Sequence, residues 1–254
     1  MINPFDAEVI ARRYVRGRLY YHSQALRIAL RQLRIDRVGV AVDIACGTGL
    51  STRAVLDVAD RVVACDASAA MVHAAERHPR AQFITATAEQ IPVRDAAADL
   101  ATVAAAFHWF DQPKVLSELA RVLRPGGGLV VYSDYFDGHL LHRPEFADWF
   151  RSEYTSRYPS VRRGPHFDPE AATTAGFGPT TRADQQWHVP LTSEAMAAYL
   201  VSQSNMVAAT DDHVDPHRAM TAEIAPFFPE NTPATAVFTL RVCTTHLRVP
   251  PDRS

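Results

Sequence analysis

Apolar positions in the first half of the chain fall into two alternating rhythms. Val38 to Ile44 is a short continuous apolar run, the pattern of a strand buried on both faces. Ser51 to Val58 repeats its apolar residues at helical spacing, Arg61 to Cys65 reads as a strand, and Ser68 to Arg77 as a helix with Ser68 at its N-cap. Ala81 to Ala86 and Leu100 to Ala105 are strands. Gln112 to Leu123 is a helix stopped by Pro125 and Gly126, and Gly128 to Ser133 is the next strand. Upstream, residues 5 to 34 read as a helix pair broken near Gly17, with Leu26, Ile28, Ala29, Leu30 and Leu33 as its apolar face. Strands and helices alternating at this spacing predict right-handed βαβ crossovers and a largely parallel sheet with helices on both faces.

The regularity ends after Ser133. Residues 134 to 181 mix aromatic side chains with Pro, Gly and Arg. A helix is predicted over Pro144 to Tyr158, with Pro144 in its first turn. Gln185 to Val189 reads as a strand, Ser193 to Val207 and Pro216 to Phe228 as helices, and Ala236 to Val249 as a long final strand. No linker composition interrupts the 254 residues, so a single domain over 1–254 is expected, divided as 1–36, 37–135 and 136–254.

Composition narrows the classes. With 47% apolar residues a core forms readily. Twenty-six basic against 28 acidic residues leave a net charge of −2, which argues against nucleic acid as the main partner. The three cysteines, Cys46, Cys65 and Cys243, are too scattered for a disulfide framework or a zinc site. His139 and His142 stand three apart without an acid pattern that makes a metal site. The start, MINPFDAEVIARRY, has no signal-peptide pattern, and no apolar run reaches membrane-spanning length. A cytoplasmic protein is expected, with its oligomeric state left open.

Chemistry concentrates where strands end. Asp43-Ile44-Ala45-Cys46-Gly47-Thr48-Gly49 closes the first strand, and a glycine turn there lets a ligand approach backbone N–H groups. A dinucleotide fingerprint laid over it falls on Ala45, Gly47 and Leu50, so its first and third glycines are missing; no P-loop Gly-Lys-Ser/Thr follows either. Asp66, 17 residues past Gly49, tips the second strand, where a carboxylate can accept both ribose hydroxyls. Capping the following helix is its competing role. Ala88-Glu89-Gln90-Ile91-Pro92 follows the third strand and Ala105-Ala106-Phe107-His108-Trp109-Phe110-Asp111 the fourth.

The spacing D-x-x-x-G-x-G resembles motif I of the class I S-adenosylmethionine-dependent methyltransferases, with Ala45 where that family usually has Gly. AFHWFD followed by RVLRPGG resembles a small-molecule branch that includes trans-aconitate methyltransferase, and Tyr14 to Tyr21 matches that branch's N-terminal segment in part. The resemblance implies a Rossmann-like, mostly parallel seven-stranded sheet with its last strand antiparallel, an N-terminal helical cap and a lid inserted after strand five. It implies S-adenosyl-L-methionine as cofactor, held by Tyr14, Arg18, Asp43, Ala45, Cys46, Gly47, Gly49, Asp66, Ala67, Met71, Ala88, Glu89, Ala105 and Phe107. Arg124-Pro125-Gly126-Gly127 is then a structural stop before the fifth strand.

Tyr21, His108, Trp109, Tyr135 and Trp149 are candidates for the substrate side. His108 is the candidate general base, with a place in the pocket wall as its other reading. Phe146, Trp149 and Phe150 recur at helical spacing, which ordinary core also explains. Arg151, Arg157, Arg162 and Arg163 read as a solvated face, or as the seat of a carboxylate substrate. The function expected is methyl transfer to an O, N or C atom of a small molecule. An RNA methyltransferase and a cofactor-binding protein without catalysis are the alternatives.

Overall fold

The computed structural model describes residues 8–160, 164–210, 216–229 and 232–250. The elements are α1 (Glu8–Gly17), α2 (His22–Leu33), β1 (Val38–Ile44), α3 (Leu50–Val55), β2 (Ala59–Asp66), α4 (Ala69–Ala74), β3 (Ala81–Thr85), β4 (Ala98–Ala104), α5 (Gln112–Val122) and β5 (Leu123–Leu140). Then come α6 (Pro144–Trp149), a π-helical turn (Phe150–Tyr154), α7 (Thr155–Arg157), α8 (Pro169–Thr174), β6 (Thr181–Leu191), α9 (Ser193–Val201), α10 (Ser204–Ala209), α11 (His217–Ile224) and β7 (Ala234–His246). The seven strands form one sheet in the order β3-β2-β1-β4-β5-β7-β6. The first five pair in parallel. β7 runs antiparallel to β5: Gly126 donates its N–H to the Leu247 carbonyl at 2.9 Å, while at the far end Leu141 donates to Thr235 at 2.9 Å. The Rossmann-like architecture with an antiparallel final strand is thus the one expected.

By contacts the chain divides into two compact units. The first to consider holds residues 20–133, 163–184 and 241–254. Its core packs Val42, Ile44, Val103 and Val131 of the parallel strands against Leu116 and Leu119 of α5. The apolar run VGVAVDI is buried along most of its length because the strand is covered on both faces. The other unit holds 1–19, 134–162 and 185–240. Its core is aromatic, centred on Phe136, Phe146, Trp149, Tyr199 and Phe238.

Several boundaries differ from expectation. β5 runs on past Ser133 to Leu140, with Tyr135, Asp137 and His139 exposed and Gly138 and Leu140 buried, a two-residue alternation among polar neighbours. Arg124 to Gly127 is a bulged part of this strand rather than a stop before it: Gly126 has φ +81°, and Gly126 and Gly127 both pair with Leu247. The helix expected over 144–158 contains a π turn, and the one over 193–207 breaks at Ser202 and Gln203. α4 ends at Ala74, although Ser68 caps it as expected, accepting the Met71 N–H at 3.2 Å. Among the described residues no helix is long and apolar enough to cross a membrane.

Candidate functional site

Strand register places the turns after β1 to β4 along one sheet edge. Ile44 pairs with Cys65 and with Val103, and Cys65 pairs with Ile84, so the carboxyl ends of the four strands are level. Residues from four separate sequence stretches meet there.

The glycine turn is built by hydrogen bonds from below and from the side. Asp43 is 0% exposed; its carboxylate accepts Ser51 Oγ at 2.7 Å, Thr52 Oγ1 at 2.6 Å and Thr102 Oγ1 at 2.8 Å. Burial pushes its pKa up, and the three hydroxyls pull the other way. Asp43 therefore holds the start of α3 to β1 and β4, and offers no surface to a ligand. Above it, Ala45, Gly47 and Gly49 have φ of +53°, +55° and +88°, the left-handed region that costs an alanine but not a glycine. A side chain at Gly49 would also meet the Phe83 ring at 3.2 Å.

Asp66 closes the turn from β2. Its Oδ2 accepts the Gly47 N–H at 2.9 Å and its Oδ1 the Ser68 N–H at 2.8 Å. The carboxylate is half-buried, and a carboxylate oxygen can accept more than one hydrogen bond. The capping and ligand roles considered from sequence are geometrically compatible. Thr48 Oγ1, inside the same turn, is buried with no hydrogen-bond partner among the described residues. The Cys46 thiol is pushed far up by burial and that of Cys65 to about 12, so both are small buried apolar side chains. Met71 is buried and Ala67 exposed.

After β3, Ala88 is buried and Glu89 exposed. The segment is pinned from α5: Glu118 Oε1 accepts the Ile91 N–H at 2.7 Å, and Arg121 donates to the Ile91 carbonyl at 3.0 Å and the Val93 carbonyl at 2.9 Å. Glu118 pairs with Arg121 at 2.7 Å, which holds its pKa below the usual range. After β4, Ala105 has φ +51° and donates to the Tyr132 carbonyl at 2.7 Å. His108 and Trp109 are half-buried neighbours, with ring centroids 5.3 Å apart. Phe107 has its ring in the core against Phe110 and Phe167 rather than at the edge.

Tyr21 is buried here too, stacked on His22 at 4.5 Å, and His22 Nδ1 shares a 3.0 Å hydrogen bond with Tyr132 Oη. His22, Tyr132, Ser51, Thr52, Thr102 and Glu118 were not singled out from sequence. Only position relative to the motifs pointed to them, and hydroxyls in a helix's first turn are too common to notice.

The remaining candidates lie in the other unit. The Arg18 guanidinium lies over the Tyr14 ring, 4.8 Å from its centroid, and donates to the Ser202 carbonyl at 3.2 Å. Tyr135 is 39% exposed. Trp149 is 7% exposed, packed against Phe146, Tyr154 and Phe227, and donates its indole N–H to Glu223 at 3.2 Å, a core placement. Arg157 pairs with Glu223 at 2.9 Å and Arg151 with Asp148 at 3.5 Å, so these two cations already face carboxylates. Arg162 and Arg163 lie outside the described residues.

A glycine turn, an acidic tip on the second strand and a third loop pinned beside them meet at one edge of a parallel sheet, the arrangement that the resemblance to methyltransferases leads one to expect. Comparison with known proteins agrees. A family described as "Methyltransferase domain" matches residues 42–131. An uncharacterised methyltransferase of Mycobacterium tuberculosis is 31% identical over 199 residues, 77% of this chain and 75% of the relative. The chain belongs to this methyltransferase family. A malonyl-[acyl-carrier protein] O-methyltransferase of Pectobacterium atrosepticum is 32% identical over 133 residues, 52% of this chain and 51% of the relative. Among solved structures, geranyl diphosphate methyltransferase in complex with SAM shares the fold, with a TM-score of 0.53 and 16% identity over 89% of this chain and 85% of that one.

Proposed function

We propose that this methyltransferase uses S-adenosyl-L-methionine to methylate a small molecule at an O, N or C atom. The observation that carries the reading is the Asp66 carboxylate, fixed by two backbone amides beside a turn of left-handed residues. The fit to an adenosyl amino acid comes from the donors and acceptors present. A carboxylate, as at Asp66, is the kind of acceptor a pair of vicinal hydroxyls requires, and among the described residues the buried Thr48 hydroxyl has no hydrogen-bond partner. Ala45 and Leu50 stand where a dinucleotide fingerprint has its first and third glycines, so the turn lacks that fingerprint's pyrophosphate seat. Ala88 and Glu89 are assigned to the adenine, and Ala105 to the edge nearest the reacting carbon. Asp43 acts through the turn that it holds.

When bound, the cofactor supplies a methyl group already activated on a sulfonium. The protein's work is then to align the acceptor with it and to keep water out. His108 and Trp109 serve as the wall on the acceptor side. An acceptor that must lose a proton would give it to His108, and that role would appear as a pH–rate profile absent from a His108 variant. The AFHWFD segment supports a small-molecule acceptor of the kind taken by the branch it resembles, as does the near-neutral net charge.

Calorimetry with S-adenosylhomocysteine tests the reading. Asp66→Ala and Asp66→Asn should each bind at least about tenfold more weakly, or ~1.4 kcal/mol, with the circular dichroism of the native fold. NAD should not raise the melting temperature. Undiminished affinity in both variants would remove the ribose assignment.

A further inference from the structure

The turn that carries His108 and Trp109 is gripped by a loop from far along the chain. Gln112, the first residue of α5, is only 5% exposed although its side chain is a primary amide. Both ends of that amide are in use. Nε2 donates to the Pro165 carbonyl at 2.6 Å, and Oε1 accepts the Asp168 N–H at 2.9 Å. Asp168 in turn caps α8, accepting the N–H groups of Glu170 and Ala171 at 2.9 and 3.1 Å. The same loop reaches the turn directly. Gly164 donates its N–H to the His108 carbonyl at 3.0 Å, and the Phe167 ring lies 5.5 Å from that of Phe107. Pro165 and Pro169 fix φ on either side of the loop's centre, so it is a stiff part set against the turn.

We infer that Gln112 is a positioning residue for methyl transfer: by holding the 165–168 loop at two backbone points it keeps Gly164 on the His108 carbonyl, and so sets where His108 and Trp109 stand. The inference rests on the reading that these two residues wall the acceptor side. The amide suits the task because it offers a donor and an acceptor at one fixed separation, which here bridge Pro165 and Asp168. A carboxylate there keeps the acceptor and loses the donor.

Histidine-selective NMR and amide hydrogen exchange, with S-adenosylhomocysteine as the probe, test this. In the unsubstituted protein the probe should move the His108 ring resonance. In Gln112→Ala, exchange at Gly164 and Asp168 should quicken at least about tenfold and the His108 resonance should move, while affinity for the probe stays within about threefold. Gln112→Glu should free Gly164 but leave Asp168 protected at neutral pH. Protonation of that carboxyl, as pH falls through its ordinary ~4.3, returns a donor, so Gly164 protection relative to the parent should recover in acid. A merely space-filling residue would show no such recovery. Unchanged exchange and an unmoved His108 resonance in both variants would overturn the positioning role. A bound probe that leaves the parent's His108 untouched would instead overturn the site reading beneath it, whatever Gln112 does.

Discussion

Ala45 and Ala105 directly follow β1 and β4 at φ of +53° and +51°, a conformation that costs an L-residue about 1–2 kcal/mol. Both stand at the edge where the motifs meet, and both strand ends are held by backbone pairing: Cys46 donates to Cys65 at 3.0 Å and Ala105 to Tyr132 at 2.7 Å. The surrounding hydrogen bonds maintain the strain. Ala45→Gly removes the steric cost at the expense of about 0.5–1 kcal/mol of added chain entropy. A net gain of up to about 1.5 kcal/mol is expected by urea denaturation. A loss in that measurement would show that the Ala45 methyl packs usefully.

Among the elements, α1 and α9 approach each other closely at Gly17. A methyl group added there would sit 2.0 Å from the Ala198 carbonyl oxygen and 2.8 Å from Ser202 Cβ. Gly17 therefore does more than break a helix pair; it lets two helices of the aromatic unit touch through backbone. Gly17→Ala must push α1 off α9 and should cost about 1–3 kcal/mol, as overpacking does, with faster amide exchange along α1 than along α9. Equal exchange in both helices and unchanged stability would show that the chain absorbs the methyl by a local shift. The π turn at Phe150–Tyr154 belongs to the same scale. Phe150 Cβ lies 2.7 Å from where a Gly138 side chain would start, so the turn seats this helix on β5 where β5 has a left-handed glycine.

Over the whole molecule the response to pH follows from groups whose burial opposes charge. His166 lies near Arg241 and Arg182, and desolvation, with those two cations, lowers its pKa from 6.5 to about 4. Between those values the unfolded chain binds more protons than the folded one. Stability from this group is therefore complete above pH 6.5 and lost as pH falls toward 4, by up to about 3 kcal/mol. Asp43 works in the opposite sense: its raised pKa makes the folded chain bind protons more readily, which costs stability as pH rises from 3.8 through the raised value. His166→Gln should flatten the fall in melting temperature between pH 6.5 and 4.5. An unaltered slope would place the acid sensitivity elsewhere.

The parallel half of the sheet was legible because each of its strands is a buried run bounded by turn residues, and because short βα connections place sequence neighbours together in space. For the same reason the positions of the glycine turn, Asp66, Glu89 and the His108 segment at strand ends can be read from the sequence. The second half was harder. β5 beyond Ser133 alternates polar and apolar residues over a stretch rich in Asp, Gly and His, and the core function of Trp149 looks the same in sequence as a binding-wall function. What the sequence determined by itself was the order of local periods and the residues that must sit at their ends, since both arise from short-range sterics and burial. Which side chains then bond each other was decided only by folding: Asp43 to three hydroxyls, Gln112 to a loop more than fifty residues on, Gly17 to the backbone of Ala198. Those pairings depend on distances that exist only once separate segments have packed.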